Sequence, residues 1–312
     1  MDIVLLFPGQ GSQKPGMARD LVEAHPAARD VFAQVDRALG TPLSALCFDG
    51  PADELTLTQN AQPALLAHGL AVWAVVREQL TPHVRAAAGH SLGEFTAYAA
   101  AGAFAPVAAA RLVRRRGELM YEAGVKRPGA MAAVLGVLTT PIDALCEGAS
   151  REAGTVVPAN YNSPEQVVVS GEVAGVDRVI ELVKDAGAKR AVKLNVSGAF
   201  HSPLMEFAQS GLGEALVASA MKAPAFPIFS NVTASPVMQA SEAQTLLLRQ
   251  LTSPVRWTDV VRHLVEQHPD AVFVEMGPGN VLTGLMKRIA PAAATVSCGT
   301  AAEVDQLLAR VA

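Results

Sequence analysis

The stretch Arg85-Ala86-Ala87-Ala88-Gly89-His90-Ser91-Leu92-Gly93 combines a short strand, a tight turn and the start of a helix. Residues 85–89 form a small apolar run typical of a buried strand, and a helical pattern extends from Leu92 to Ala101. The spacing Gly-x-Ser-x-Gly permits a sharp turn and lets neighbouring backbone pass close by. The sequence therefore predicts that Ser91 lies between a strand and a helix, with its hydroxyl presented at the helix N-terminus.

Strand and helix signals alternate on both sides of this turn. Scarce aromatic residues, 5% of the chain, suit a core of aliphatic strands covered by helices. The pattern predicts strands at 3–7, 228–230 and 272–275, helices at 17–39, 61–80 and from Pro106 through Met120, and a single long helix between the last two strands. These signals predict an α/β fold with a large parallel-sheet subdomain resembling the α/β hydrolases.

A different pattern occupies the middle of the chain. Strand-like runs at 130–137, 156–157, 166–170 and 191–196 enclose helices that start at 139–141 and span 173–187. This order, β-α-β-β-α-β, is typical of a ferredoxin-like module. We therefore expect a small ferredoxin-like subdomain at 126–197, inserted into a large catalytic subdomain formed by 1–125 and 198–312.

Charge and cysteine content exclude several protein classes. The 312 residues carry 25 basic and 29 acidic side chains, a net charge of -4, which argues against a nucleic-acid-binding surface. Three cysteines at scattered positions form neither a disulfide framework nor the spacing of a metal site. We expect no metal and a reducing, cytoplasmic location.

Nothing in the chain has the pattern of a membrane segment. The alanine-rich stretch 97–110 is interrupted by Gly102 and Pro106 and leads into arginines. The first residues lack the basic start and small-residue cleavage site of a signal peptide. The sequence predicts a soluble protein.

A serine nucleophile requires a base, and seven histidines are available. His201 lies in the loop Ser197-Gly198-Ala199-Phe200-His201-Ser202-Pro203, which follows a predicted strand, where α/β sheets carry their chemistry. His90 is expected to pack beside the turn and His68 within a helix core, whereas the other four histidines lie in surface segments (His25, His83, His263 and His268). His201 is the predicted base, although an incidental serine on a structural turn remains an alternative.

Two glycine-containing loops are open to more than one interpretation. Residues 7–13, Phe-Pro-Gly-Gln-Gly-Ser-Gln, lack the Gly-Lys-Ser/Thr ending of a phosphate-binding loop, so a backbone N–H donated to an oxyanion is favoured over a nucleotide site. The backbone N–H of Leu92 is a second candidate donor for that oxyanion. Residues 275–279, Glu-Met-Gly-Pro-Gly, are interpreted as a structural turn before a helix.

Seven stretches together carry a family resemblance. In chain order they are 7–13, Thr58-Gln59-Asn60-Ala61-Gln62-Pro63-Ala64, Gly89-His90-Ser91-Leu92-Gly93-Glu94, Arg116-Gly117 with Met120, Asn160-Tyr161-Asn162-Ser163-Pro164, Gly198-Ala199-Phe200-His201, and 275–279. With them the chain resembles the malonyl-CoA:acyl-carrier-protein transacylases of fatty-acid synthesis, whose close relatives are the acyltransferase domains of polyketide synthases.

The resemblance implies a set of catalytic roles. Ser91 would carry the malonyl group as an ester, and His201 would act as general base and then general acid. The backbone carbonyl of Gln250 would orient the histidine, in place of a carboxylate. Backbone N–H groups of Gln10 and Leu92 would form the oxyanion hole.

The resemblance also implies substrate-binding roles. Arg116 would hold the free carboxylate of malonate through bidentate pairing, although from the residues alone the run 114–116 is typical of a solvated helix face. Phe200, directly before the histidine, goes with malonyl rather than methylmalonyl selection in the related domains. Gln62 and Asn160, within the matching stretches, would line the substrate site.

The implied partners are malonyl-CoA and acyl carrier protein, with coenzyme A thioester as a substrate and no cofactor. We expect a monomer. Three alternatives stay open: a free-standing acyltransferase of a polyketide or malonate-decarboxylase system, a serine hydrolase that discharges the ester to water, and a non-catalytic carrier-binding module.

Overall fold

The computed structural model describes residues 1–311. Its strands are β1 (Ile3–Phe7), β2 (Val84–Gly89), β3 (Ala130–Leu135), β4 (Val156–Ser163), β5 (Gln166–Gly171), β6 (Arg190–Lys193), β7 (Ile228–Phe229), β8 (Pro236–Val237), β9 (Val272–Met276) and β10 (Ala294–Cys298). Its α-helices are α1 (Arg19–Ala24), α2 (Pro26–Leu39), α3 (Leu43–Asp49), α4 (Ala52–Thr56), α5 (Thr58–Leu80), α6 (Leu92–Ala100), α7 (Pro106–Lys126), α8 (Ile142–Ala153), α9 (Val173–Asp185), α10 (Gln209–Ala218), α11 (Ala240–Arg249), α12 (Trp257–Gln267), α13 (Val281–Ile289) and α14 (Ala301–Val311).

The larger sheet has the order β10-β9-β1-β2-β7-β8, and its first five strands run parallel. Because side chains alternate along a strand, β1 divides its residues between two cores. Ile3, Leu5 and Phe7 face one core, while Val4 and Leu6 face the other. Burial on both faces explains why this strand is apolar throughout.

The smaller sheet has the order β4-β5-β3-β6 and is antiparallel, with α8 and α9 packed on it around a separate core. Its elements follow the order β-α-β-β-α-β, as predicted. The predicted fold class, a parallel-sheet α/β fold with an inserted ferredoxin-like unit, is thus confirmed. The division at 125/126 and 197/198 stays a prediction, with α7 ending at Lys126 and β6 at Lys193.

Some predicted elements were wrong in extent. The single helix expected between β7 and β9 is two helices, α11 and α12, because an extended segment around Pro254 interrupts them. The helix expected from Ala61 begins three residues earlier, at Thr58, and contains Pro63 in its second turn. Strand β10 was not predicted.

The turn after β2 depends on close backbone packing. The His90 N–H donates to the Phe7 carbonyl at 3.0 Å, so the end of β1 supports the turn. A Cβ at Gly93 would lie 2.0 Å from the Phe7 carbonyl oxygen. The start of α6 can therefore approach β1 only because residue 93 lacks a side chain.

Gly93→Ala is expected to lower the free energy of unfolding by about 2–4 kcal/mol, because backbone must shift to relieve the clash. Urea denaturation measures the loss. Gly284→Ala is the matched control: its Cβ would meet nothing within 4 Å on the exposed face of α13. That control should be neutral or stabilising by about 0.5–1 kcal/mol. Equal midpoints for wild type and Gly93→Ala would contradict the packing argument.

Candidate active site

Ser91 lies between β2 and α6 with φ 51° and ψ −105°, a conformation that L-residues rarely adopt. Asn231, which follows β7, holds this turn from two sides. Its Oδ1 accepts from the Ser91 N–H at 2.7 Å, and its Nδ2 donates to the Gly89 carbonyl at 2.8 Å. Strained backbone of this kind is characteristic of functional sites.

His201 places its Nε2 2.8 Å from the Ser91 Oγ. Its Nδ1 lies 2.9 Å from the Gln250 carbonyl oxygen, which can only accept a hydrogen bond. The proton therefore sits on Nδ1, and the Nε2 lone pair faces the serine hydroxyl. Burial, reinforced by the nearby Arg116 charge, lowers the pKa of His201 to about 3, so the ring is a neutral base at physiological pH.

Arg116 is buried, with 1% of its surface exposed, contrary to the solvated face that residues 114–116 alone suggest. Its Nη1 donates to Gln62 Oε1 at 2.8 Å, and its Nη2 donates to Gln250 Oε1 at 2.9 Å and to Ser91 Oγ at 3.2 Å. Burial lowers the pKa of Arg116 to about 10, which leaves the guanidinium charged near neutrality.

The Nε of Arg116 is buried without a hydrogen-bond partner among the described residues. An unsatisfied donor on a buried cation is costly unless an anion reaches it. Neighbouring Arg115 behaves differently, because it is exposed and pairs with Glu118 and Glu122 on the helix surface. Arg116 is therefore a buried cation beside Ser91 that can attract a negatively charged group.

A cavity of about 120 Å³ lies over Ser91, and its walls include the other residues predicted for the site. The backbone N–H groups of Gln10 and Leu92 have no protein acceptor within residues 1–311, so both are available to a ligand. Phe200 and Asn160 form part of the wall. All nine predicted site residues thus converge on one place, although their roles stay predictions.

A larger cavity, of about 720 Å³, lies between the small sheet and α12. It is lined by residues such as Tyr161, Asp143 and Arg256, and it contains neither Ser91 nor His201. Because reactive groups rather than volume define a catalytic site, the smaller cavity is the candidate.

Two residues of the site were not predicted from the sequence. Asn231 holds the serine turn, and Glu94 is wholly buried behind it, where it accepts from Gln250 Nε2 at 2.6 Å and from the Asn231 N–H at 3.1 Å. Burial raises the pKa of Glu94 to about 7. The available signal was an acidic residue within the otherwise uncharged helix Leu92–Ala100.

His90 has the packing role that its position suggests. It is buried, its Nε2 lies 2.8 Å from Asn162 Oδ1, and its ring packs near Trp257. Burial lowers the pKa of His90, so it too is neutral.

No helix within residues 1–311 has the length and apolar character of a membrane span.

Comparison with known sequences identifies relatives along nearly the whole chain. The chain is 45% identical over 288 residues to the malonyl CoA-acyl carrier protein transacylase of Bacillus subtilis (strain 168), covering 92% of this chain and 90% of that protein. It is 42% identical over 284 residues to the protein of the same name from Escherichia coli (strain K12), covering 91% of each.

Solved structures agree. An acyl-carrier-protein-S-malonyltransferase from Bartonella henselae superposes with a TM-score of 0.94 at 40% identity, covering 100% of this chain and 99% of that one. A malonyl-transacylase in complex with a type II polyketide synthase acyl-carrier protein also gives 0.94 at 40% identity, with 99% and 100% coverage. Residues 4–306 match the family model described as the acyl transferase domain, and the chain therefore belongs to the acyl transferase family.

Proposed function

We propose that the protein transfers the malonyl group from malonyl-CoA to the phosphopantetheine thiol of acyl carrier protein in fatty-acid biosynthesis, through an ester on Ser91. One observation carries the proposal. The Ser91 Oγ lies within hydrogen-bonding distance of both a neutral base, His201 Nε2 at 2.8 Å, and a buried cation, Arg116 Nη2 at 3.2 Å. Nucleophile, base and carboxylate receptor thus surround one atom, and the names of the relatives support this substrate.

In the first half-reaction, Ser91 Oγ attacks the thioester carbonyl while His201 Nε2 takes the hydroxyl proton. The Gln250 carbonyl, bonded to Nδ1, keeps the ring oriented and stabilises its transient charge. The tetrahedral oxyanion accepts hydrogen bonds from the backbone N–H groups of Gln10 and Leu92. Leu92 lies at the N-terminus of α6, the positive end of the helix dipole. Collapse breaks the C–S bond, and His201 gives its proton to the departing coenzyme A thiolate, which leaves as the thiol.

The second half-reaction reverses these steps with a different thiol. His201 removes the proton of the phosphopantetheine thiol, which attacks the ester, and then returns a proton to Ser91 Oγ. The acyl group thus passes from one thiol to another. His201 supplies the acid and the base, and the backbone N–H groups of Gln10 and Leu92 supply the oxyanion donors. The proposed reaction requires no cofactor, because coenzyme A enters as part of the substrate.

Selectivity for a free carboxylate is assigned to Arg116. The guanidinium is held by Gln62 and Gln250, and as a cation in the wall of the cavity over Ser91 it can pair with the malonyl carboxylate. Phe200 adds an apolar wall beside His201. Asn160 also lines the cavity and adds a polar residue to its wall.

The carrier protein and location are the remaining parts of the proposal. A polyketide or malonate-decarboxylase acyltransferase would use the same residues, and transfer to purified carrier proteins from each pathway separates these alternatives. A serine hydrolase would release free malonate instead.

A cytoplasmic location is supported by three unpaired, buried cysteines (Cys47, Cys146 and Cys298). The monomeric state stays a prediction.

Ser91→Ala is expected to abolish the malonyl ester, because Ser91 Oγ is the only nucleophile within residues 1–311 that is hydrogen-bonded to His201 Nε2. Intact-mass measurement after incubation with malonyl-CoA detects the gain of one malonyl group in the wild type. Ser241→Ala, on the surface of α11, is the matched control and should retain the adduct. An adduct on Ser91→Ala, or rapid hydrolysis without transfer to carrier protein, would overturn the proposal.

Arg116→Ala is expected to reduce kcat/KM for malonyl transfer by about 10²–10³-fold, the usual effect of removing one partner of a buried ion pair. Acetyl transfer should increase, because the buried cation no longer disfavours a neutral acyl group. Steady-state assays with both thioesters measure the switch, with Arg115→Ala as the exposed control. Unchanged malonyl kinetics would remove Arg116 from the binding site.

The base should stay active in mild acid. Because the pKa of His201 is lowered, its neutral form persists as the pH falls through 6.5. For an ordinary histidine, the fraction in the neutral form would fall about tenfold between about pH 8 and pH 5.5. The rate at which an uncharged sulfonyl fluoride modifies Ser91 reports this base without titrating a substrate. We expect less than about twofold loss over that range. A midpoint near 6.5 would contradict the assigned environment of His201.

A further inference from the structure

Glu94 is a buried carboxylate that the proposed mechanism does not use. It lies on α6, three residues after Ser91, and none of its surface is exposed. Its Oε2 accepts from Gln250 Nε2 and from the Asn231 N–H, while its Oε1 has no partner in the described residues. A carboxylate buried in this way requires a compensating charge nearby.

The Gln250 amide connects Glu94 to Arg116. Its Nε2 donates to Glu94 Oε2 at 2.6 Å, and its Oε1 accepts from Arg116 Nη2 at 2.9 Å. The carboxylate and the guanidinium therefore fix which way the amide points. The backbone carbonyl of the same residue lies 2.9 Å from His201 Nδ1. Gln250 therefore contacts both the base, through its backbone, and the cation, through its side chain.

Within the described residues, one charged group acts on Glu94. α7 contributes Arg116, whose charge acts on the carboxylate, and the segment after β7 contributes the neutral groups of Ser230 and Asn231. Tyr98, one turn along α6, is neutral because burial raises its pKa. When Glu94 is ionised, it and Arg116 thus form a buried pair with no net charge.

Building on the proposed malonyl transfer, we propose that Glu94 is a positioning and specificity residue. Before malonyl binds, the negative charge of Glu94 compensates the positive charge of Arg116, to which it is connected through Gln250. When the malonyl carboxylate arrives, that carboxylate compensates Arg116 instead. A second anion beside one buried cation would leave a net negative charge out of water. Uptake of one proton by Glu94 removes that excess.

The proton balance is explicit. The Ser91 proton leaves through His201 on the coenzyme A thiol, so ester formation by itself consumes none. The proton taken up by Glu94 comes from solvent and is released when the malonyl group passes to the carrier thiol. The pKa of Glu94, about 7, lies where a nearby negative charge would shift its ionisation strongly at neutral pH.

The experiment measures the equilibrium constant for Ser91 malonylation as a function of pH, by intact mass at fixed ratios of malonyl-CoA to coenzyme A. In the wild type this constant should rise as the pH falls through about 7, because protonated Glu94 no longer opposes the incoming carboxylate. In Glu94→Gln, which keeps an acceptor for Gln250 without the charge, the constant should be about tenfold higher at about pH 8. Coenzyme A thiol ionisation is common to both proteins and cancels in their ratio.

Further variants separate charge from packing. Glu94→Ala should lose transfer activity, because Gln250 is no longer held, and Glu94→Gln should restore it. Glu275→Gln removes another wholly buried carboxylate, which accepts from the first N–H groups of α13, and should leave the malonylation equilibrium unchanged. Proton uptake during wild-type acylation, followed with an indicator dye in weak buffer, tests the same coupling without any substitution.

The outcomes are distinct. A wild-type protein that forms no malonyl ester would overturn the proposed function and this inference together. A normal ester whose equilibrium has the same pH dependence in wild type and Glu94→Gln, with no proton uptake, would overturn the inference alone.

Discussion

A charged guanidinium buried in a protein core has to be surrounded by acceptors, and Arg116 imposes this requirement on its neighbours. Gln62, Gln250 and Ser91 each accept one of its hydrogen bonds, and Glu94 supplies the compensating charge beyond Gln250. The same charge helps keep His201 neutral. One buried cation, Arg116, therefore determines which acceptors surround the acyl-binding site and helps lower the pKa of the base, His201.

The fold supplies the backbone that this arrangement needs. Ser91 and His201 both have positive φ angles, 51° and 57°, and such strain persists only where the surroundings over-determine it. Around Ser91 the restraint comes from Asn231 and from the glycine contact between α6 and β1. At His201 the next residue caps a short helical turn, with Ser202 Oγ accepting from the Leu204 N–H. Strands and turns far apart in sequence thus hold two reactive side chains at 2.8 Å.

Local patterns explain which features were predictable. The strand, turn and helix around Ser91 occupy a few consecutive residues, so their periodicity and glycines are enough to identify them. Arg116 is different, because its burial depends on α5: a Cβ at Gly117 would lie 2.7 Å from the Gln59 Cα, so the two helices pack in near contact. Without the family resemblance, an arginine beside two others is typical of a solvated face. Asn231 lies 140 residues beyond Ser91, and only the parallel pairing of β2 with β7 brings them together.

The hydrogen bond between Arg116 Nη2 and Ser91 Oγ links selectivity to the covalent step. In the free protein the serine oxygen is one of the acceptors that make burial of the cation tolerable. Formation of an ester turns that oxygen into a poor acceptor and removes this support. A malonyl group brings a carboxylate that replaces it, whereas an acetyl group leaves the buried guanidinium short of an acceptor. The acyl group that supplies Arg116 with a new hydrogen-bond acceptor is therefore the one whose ester is favoured. Discrimination between acyl groups thus acts on the covalent intermediate as well as on binding of the thioester.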